Sequence, residues 1–300
     1  MEEHEISDYP TTQSSEEVIL RDSGKIYLFK SHDLMDSVYG KYLRDVCTFS
    51  QMCAEIYVDD DANLTENNKE LDKNKNPGRW PQRAEDAGWE KLDWQAPEIT
   101  KGYNLKTLKY AVWIDRANKR AVVVFRGTAG FVDWCSNAHW LTRFVPGVNN
   151  HYKQVRHMVE STLEFIRSIL GDEFLLYTTG HSLGGGLAQL FAYASSHRAE
   201  FVCAFHSSPV TGYYEIPRLQ REQASEGLHI ARVFEHGEVL SYPRLLLRKL
   251  YPVSTVAPRI SEFRTNFIGG GFVTQHSVAT FADNYNSKLG TLDNGSLNTS

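Results

Sequence analysis

Apolar positions recur every three or four residues across 34–58. Val38, Tyr42, Val46, Phe49 and Cys53 share one face, which predicts an amphipathic helix. From 59 to 86 the chain turns polar, and DDDANLTENNKELDKNKNPGRWPQRAED reads as a long surface insertion. LKTLKYAVWI and RAVVVFRG are then β-rich runs joined by the polar turn DRANK, the pattern of an antiparallel strand pair. HYKQVRHMVESTLEFIRSILG returns to helical spacing: Val155, Met158, Val159, Thr162, Leu163 and Ile166 line one face, and Gly171 supplies the stop.

EFLLYTT follows as a short buried strand, then a helix from about Leu183 to His197. FVCAFHSS and LHIARVFEHG read as further strands. This alternation predicts an α/β fold with a mostly parallel central sheet flanked by helices. There is no internal repeat. The polar tail SKLGTLDNGSLNTS is expected to be disordered.

Composition narrows this little. With 300 residues, 41% hydrophobic, the chain can bury one large core, so one domain over 26–288 is expected, between a polar segment at 1–25 and a tail at 289–300. A net charge of -5 supplies no basic field for nucleic acid. Cys47, Cys53, Cys135 and Cys203 form neither CxxC pairs nor a disulfide framework, which reads as free thiols. The opening MEEHEISDYPTTQSSEEVIL is acidic and polar, unlike a secretory signal, and no apolar stretch reaches the roughly 18 residues of a membrane span. A cytoplasmic location is the expectation, with export that reads no N-terminal signal left open.

The chemistry concentrates in Gly180-His181-Ser182-Leu183-Gly184, a G-x-S-x-G pattern between a strand and a helix. Such a turn exposes the serine Oγ, and its glycines remove Cβ atoms that would collide with neighbouring elements. The helix start behind it offers free N–H groups to a developing oxyanion. A phosphate-binding turn would want a lysine after the loop, and GGGLAQL has none. Ser182 is therefore the expected nucleophile.

Around such an elbow the partners follow in the order serine, acid, histidine. His276 follows the IGGG loop and opens HSVATFADNYNSKL, late enough to leave room for the acid. His197, His206, His229 and His236 fit less well by position or order. The acid is sought after LHIARVF, where Glu238 lies past the His236-Gly237 turn, with Glu235 in reserve.

FRGT, AGFVDWCSNAHW, GHSLGG and a late histidine together resemble the class 3 lipases, the fungal-lipase-like branch of the α/β-hydrolases, from about FSQMCAEIY to HSVATF. The resemblance implies Ser182 as nucleophile, His276 as base, and Thr128 with the Leu183 N–H as oxyanion hole. Family members usually carry aspartate where Glu238 stands. Thr128 also suits that role as a donor at a strand end. Phe131, Trp134 and Trp140, with Phe144, stand where the family hinges a lid. PRLLLRKLYP, 243–252, mixes aliphatic and basic residues and reads either as a lipid-surface contact or as a packed helix. Asp59, Asp61, Asn63 and Glu70 match calcium-loop positions, but Leu64 stands where the turn needs glycine, so no metal is expected, nor any cofactor.

The expected activity is hydrolysis of lipid carboxylic esters, as a triacylglycerol lipase or phospholipase, through an acyl-enzyme on Ser182. Its partners would be the lipid ester and, transiently, a lipid surface. An acyltransferase or short-chain esterase on the same triad, or a catalytically silent lipid-binding or interaction module, are the alternatives.

Overall fold

The computed structural model describes residues 4–7, 10, 12–35, 40–61, 84–97, 108–127, 151–238, 258–269 and 276–289. The 62–83 part of the polar insertion, the 130–144 lid segment, PRLLLRKLYP and the tail beyond 289 lie outside them.

Among the described residues ten strands form one sheet. They are β1 (His4–Ile6), β2 (Glu17–Asp22), β3 (Lys25–Lys30), β4 (Glu90–Leu92), β5 (Tyr110–Asp115), β6 (Arg120–Phe125), β7 (Leu175–His181), β8 (Ala199–Phe205), β9 (His229–Glu235) and β10 (Arg259–Thr265), in the spatial order 1-3-2-10-9-8-7-6-5-4. Strands β6 to β10 are mutually parallel, and the outer strands join antiparallel on both sides. This is an α/β fold with a parallel centre.

The helices are α1 (Ser31–Met35), α2 (Gly40–Asp61), α3 (His151–Leu170), α4 (Leu183–Ala194), α5 (Arg218–Ser225) and α6 (Val278–Leu289). Each parallel strand steps to its neighbour in the same direction, so right-handed crossovers put α3, α4 and α5 on one face. Helices α2 and α6 cover the other. The strands serve both: Phe201, Cys203 and Phe205 of β8 pack towards α2 and α6, while Val202 packs towards α3 and α4. Burial on both sides is why these strands read as continuous apolar runs rather than alternating ones.

On α2, Val46, Phe49, Cys53 and Ile56 are buried at helical spacing, and the Phe49 ring lies 5.7 Å from Tyr177 and 6.5 Å from Phe201. The long helix α3 buries the apolar face read from its sequence, and Gly171 ends it at φ 82°. Cys47, Cys53 and Cys203 are free thiols. No helix among the described residues is long and apolar enough to cross a membrane.

Five strands were not apparent from the hydrophobic pattern. Within the polar N-terminal region, β2 and β3 form a hairpin whose two-residue turn, Ser23-Gly24, takes positive φ at both positions, as a twist-compatible hairpin requires. Strand β10, RISEFRT, carries two apolar residues among three charged ones with no period of two; Arg259 pairs with Asp22, Glu262 with Arg21, and Arg264 bonds Gln13. The three-residue β1 and β4 are too short to carry a period.

Candidate active site

Strand β7 ends at His181 and α4 begins at Leu183, which leaves Ser182 alone to make the turn. It does so at φ 59° and ψ -123°, a conformation that non-glycine residues rarely adopt. Backbone bonds hold it there: Ser182 N–H donates to the Phe205 carbonyl at 2.9 Å, and its carbonyl accepts from Gly185 at 3.1 Å and Ser208 at 3.0 Å. The flanking glycines are required by space. A Cβ on Gly180 would lie 2.3 Å from the Gly184 oxygen, and one on Gly184 would lie 2.1 Å from the Phe125 oxygen. Ser182 Oγ is buried, with no hydrogen-bond partner among the described residues. Leu183, the first residue of α4, presents one of the amides that a helix start leaves without an intrahelical acceptor.

Glu238 stands three residues past the end of β9, beyond Gly237 at φ 80°. It is fully buried, and its Oε2 accepts a hydrogen bond from His276 Nδ1 at 2.9 Å. A carboxylate can only accept, so Nδ1 carries a proton, and in the neutral form of the ring Nε2 keeps its lone pair. His276 does not open a helix. It sits two residues before α6, where Ser277 Oγ accepts from the Thr280 amide at 3.4 Å.

Glu235 is engaged elsewhere. Its oxygens accept from Thr265 Oγ1 at 2.6 Å and the Ile268 amide at 3.3 Å, and burial pushes its carboxyl up to about 7. His197 bonds the Phe174 carbonyl and His229 the Ser261 hydroxyl.

Two histidines gather around His276. The His181 ring centroid is 4.8 Å from that of His276, and His206 is 5.4 Å from it. Burial, with His276 as a neighbour, holds His181 well below the usual histidine range. One ring nitrogen from each of the three lies within 4.8 Å of the others, which is the one metal-sized group among the described residues. Nitrogens at zinc distance, about 2.0–2.1 Å from the ion, would have to draw closer than that. Both His181 nitrogens already face partners: Nδ1 meets Tyr57 Oη at 3.1 Å and Nε2 meets the His276 carbonyl at 2.8 Å. The set fits a metal poorly.

Sequence reasoning passed over His181, the variable position of the pentapeptide, and Tyr57, an apolar-face residue of α2. Thr128, Phe131, Trp134 and Trp140 lie outside the described residues. Gly127, just before Thr128, lies against the elbow: a Cβ there would be 2.9 Å from Ser182 Cβ.

A parallel-centred sheet with helices on both faces, turning through a strained serine at a carboxyl strand end, defines a lipase-like α/β-hydrolase. The family model described as phospholipase-like, the Tle-like phospholipase domain, matches residues 51–213, over half the chain, and the chain belongs to that family. Among solved structures, the chain is similar to Lip2 lipase from Yarrowia lipolytica (15% identity over 55% of this chain and 63% of that one, TM-score 0.37). It is also similar to the Rhizomucor miehei lipase propeptide complex (12%, 72% and 66%, 0.42) and to a lipase from Rhizopus microsporus var. chinensis (13%, 80% and 83%, 0.44). The chain thus spans under two thirds of the first two. No curated relative matches it.

Proposed function

We propose that this protein hydrolyses carboxylic esters of lipids through an acyl-enzyme on Ser182, with His276 as general base and Glu238 as the acid behind it. The observation that carries the reading is the buried Glu238–His276 pair, tethered to the residue next to Ser182 by the His181–His276 carbonyl bond. His276 Nε2 takes the Ser182 proton as Oγ attacks the ester carbonyl, and the proton then passes to the leaving alcohol. Water, activated by the same imidazole, releases the fatty acid. The Leu183 amide and Thr128 hold the oxyanion; losing one such donor costs about 3 kcal/mol of transition-state stabilisation. Phe131, Trp134 and Trp140 would meet the acyl chain. Membership of a phospholipase-like family supports phospholipid as the first substrate to try.

A panel of phospholipids and glycerides, incubated with wild type and Ser182→Ala, tests this. Fatty-acid release by wild type only is expected. Equal release by both proteins, or none from any lipid or p-nitrophenyl ester, would sink the mechanism.

A further inference from the structure

Beside the residues assigned above, one chain of hydrogen bonds joins the end of β6, the elbow and the loop that carries His276. The Gly127 amide donates to Tyr57 Oη at 2.9 Å. Tyr57 Oη meets His181 Nδ1 at 3.1 Å, and His181 Nε2 meets the His276 carbonyl at 2.8 Å. Helix α2 thus reaches the end of β6, the residue before the nucleophile and the loop of the base.

We propose that Tyr57 and His181 are positioning residues for the reaction at Ser182, a two-residue clamp that fixes the oxyanion strand, the elbow and the base loop against one another. The inference rests on the hydrolase reading above.

The direction of the bonds is dictated by their ends. An amide can only donate and a carbonyl can only accept, so the phenol oxygen accepts from Gly127 and its single hydrogen goes to Nδ1. Nε2 must then bear the ring proton that it gives to His276. One state satisfies every atom: neutral His181, protonated on Nε2.

The surroundings favour that state. His181 faces Tyr57, His206 and His276, with the Arg126 guanidinium 5.0 Å from the Tyr57 ring, and burial disfavours charge on the imidazole. Burial also holds the Tyr57 phenol in its protonated, donating form. There is little slack, since a Cβ on Gly127 would lie 2.6 Å from Tyr57 Oη and 2.5 Å from the His181 carbonyl. Neither side chain is needed for bond making, yet a shift of about 1 Å between reacting groups can cost on the order of 100-fold in rate.

The test uses the full chain and Tyr57→Phe, which keeps the ring and removes only the hydroxyl. Nitrogen-15 NMR of the wild-type imidazoles should show His181 with a pyridine-like Nδ1 and a pyrrole-like Nε2 from about pH 5 to 8. Hydrolysis of a short p-nitrophenyl ester by Tyr57→Phe should lose about 10- to 100-fold in kcat, with KM within about threefold. His181→Gln, whose amide can still donate to the His276 carbonyl, should keep more kcat than His181→Leu, and this comparison decides if Tyr57→Phe does not fold. A His181 proton on Nδ1, a kcat within about twofold of wild type, or equal losses in both His181 variants overturns the clamp. A wild type without esterase activity refutes the hydrolase reading instead, and the NMR result then decides the clamp.

Discussion

Replacing Gly184 by alanine tests how tightly the elbow is built. The new Cβ would stand 2.1 Å from the Phe125 carbonyl oxygen, 2.8 Å from its carbon and 2.9 Å from the Arg126 carbonyl carbon, where real Cβ contacts stay beyond 3.0 Å. Helix α4 and the end of β6 must therefore separate by about 0.9 Å, and neither side is a side chain that can swing away. Phe125 is paired on both flanks, with Tyr110 of β5 and Gly180 of β7. Overpacking of this kind costs about 1–3 kcal/mol, and rigid backbone puts it at the upper end. Alanine recovers up to about 1 kcal/mol as the better helix former, which leaves a net loss of about 2 kcal/mol. Turnover should fall by about 100-fold, because the same displacement moves Ser182 relative to the end of β6. Urea unfolding followed by tryptophan fluorescence reads the first effect and ester hydrolysis the second. Gly269→Ala, with nothing within 4 Å of its new Cβ, is the control and should lie within about 0.5 kcal/mol of wild type. A Gly184→Ala protein that matches this control in stability, with turnover within about threefold of wild type, would refute the close-approach argument.

Glu238→Gln should lose about 1,000- to 10,000-fold in turnover, because an amide N–H facing Nδ1 drives the ring proton onto Nε2; Glu235→Gln should lose less than about tenfold, and the reverse ranking in ester kinetics would move the acid. Glu235 also links stability to pH. Its folded-state carboxyl is raised from 4.5 to about 7, so the native state binds more protons than the unfolded one between those values, and stability falls as pH rises through that window by at most about 3 kcal/mol. Denaturation of wild type and Glu235→Gln at pH 5 and 8 should show a flatter dependence in the variant; identical slopes would contradict it.

The legible parts of the fold are those whose neighbours are sequence-local. VVVF and FVCAF announce buried strands because burial on both faces leaves no polar position, and VVVF pairs antiparallel with its sequence neighbour β5 as its turn predicts. The α3 face is written in its own period. Strand β10 was not legible because its Arg and Glu pair across the sheet with residues over 200 positions away. The elbow could be read because a serine between Gly180 and Gly184 is a local backbone requirement. Glu238 could be preferred over Glu235 because the Gly237 turn carries it beyond the strand, and the structure brings its side chain to His276. Tyr57 was not legible: on the buried stripe of α2 it looks like any core aromatic, and its hydroxyl acquires a purpose only when β6 and β7 fold against it.

The pairing of β2 with β10 has a consequence for biosynthesis. Gln13 bonds the Arg264 carbonyl across 251 residues, and β2 takes its place in the sheet only beside β10. During translation the β2–β3 hairpin emerges well before β10 and must wait, one edge unpaired, until the long stretch of chain between them has also left the ribosome. Such long-range closure is slow, and an open edge invites pairing with another chain. The alternating charges of Arg21 and Asp22 suit that interval, since they discourage wrong partners before Glu262 and Arg259 arrive to claim them. Nascent chains halted before residue 259 should therefore engage chaperones through this hairpin rather than their growing end.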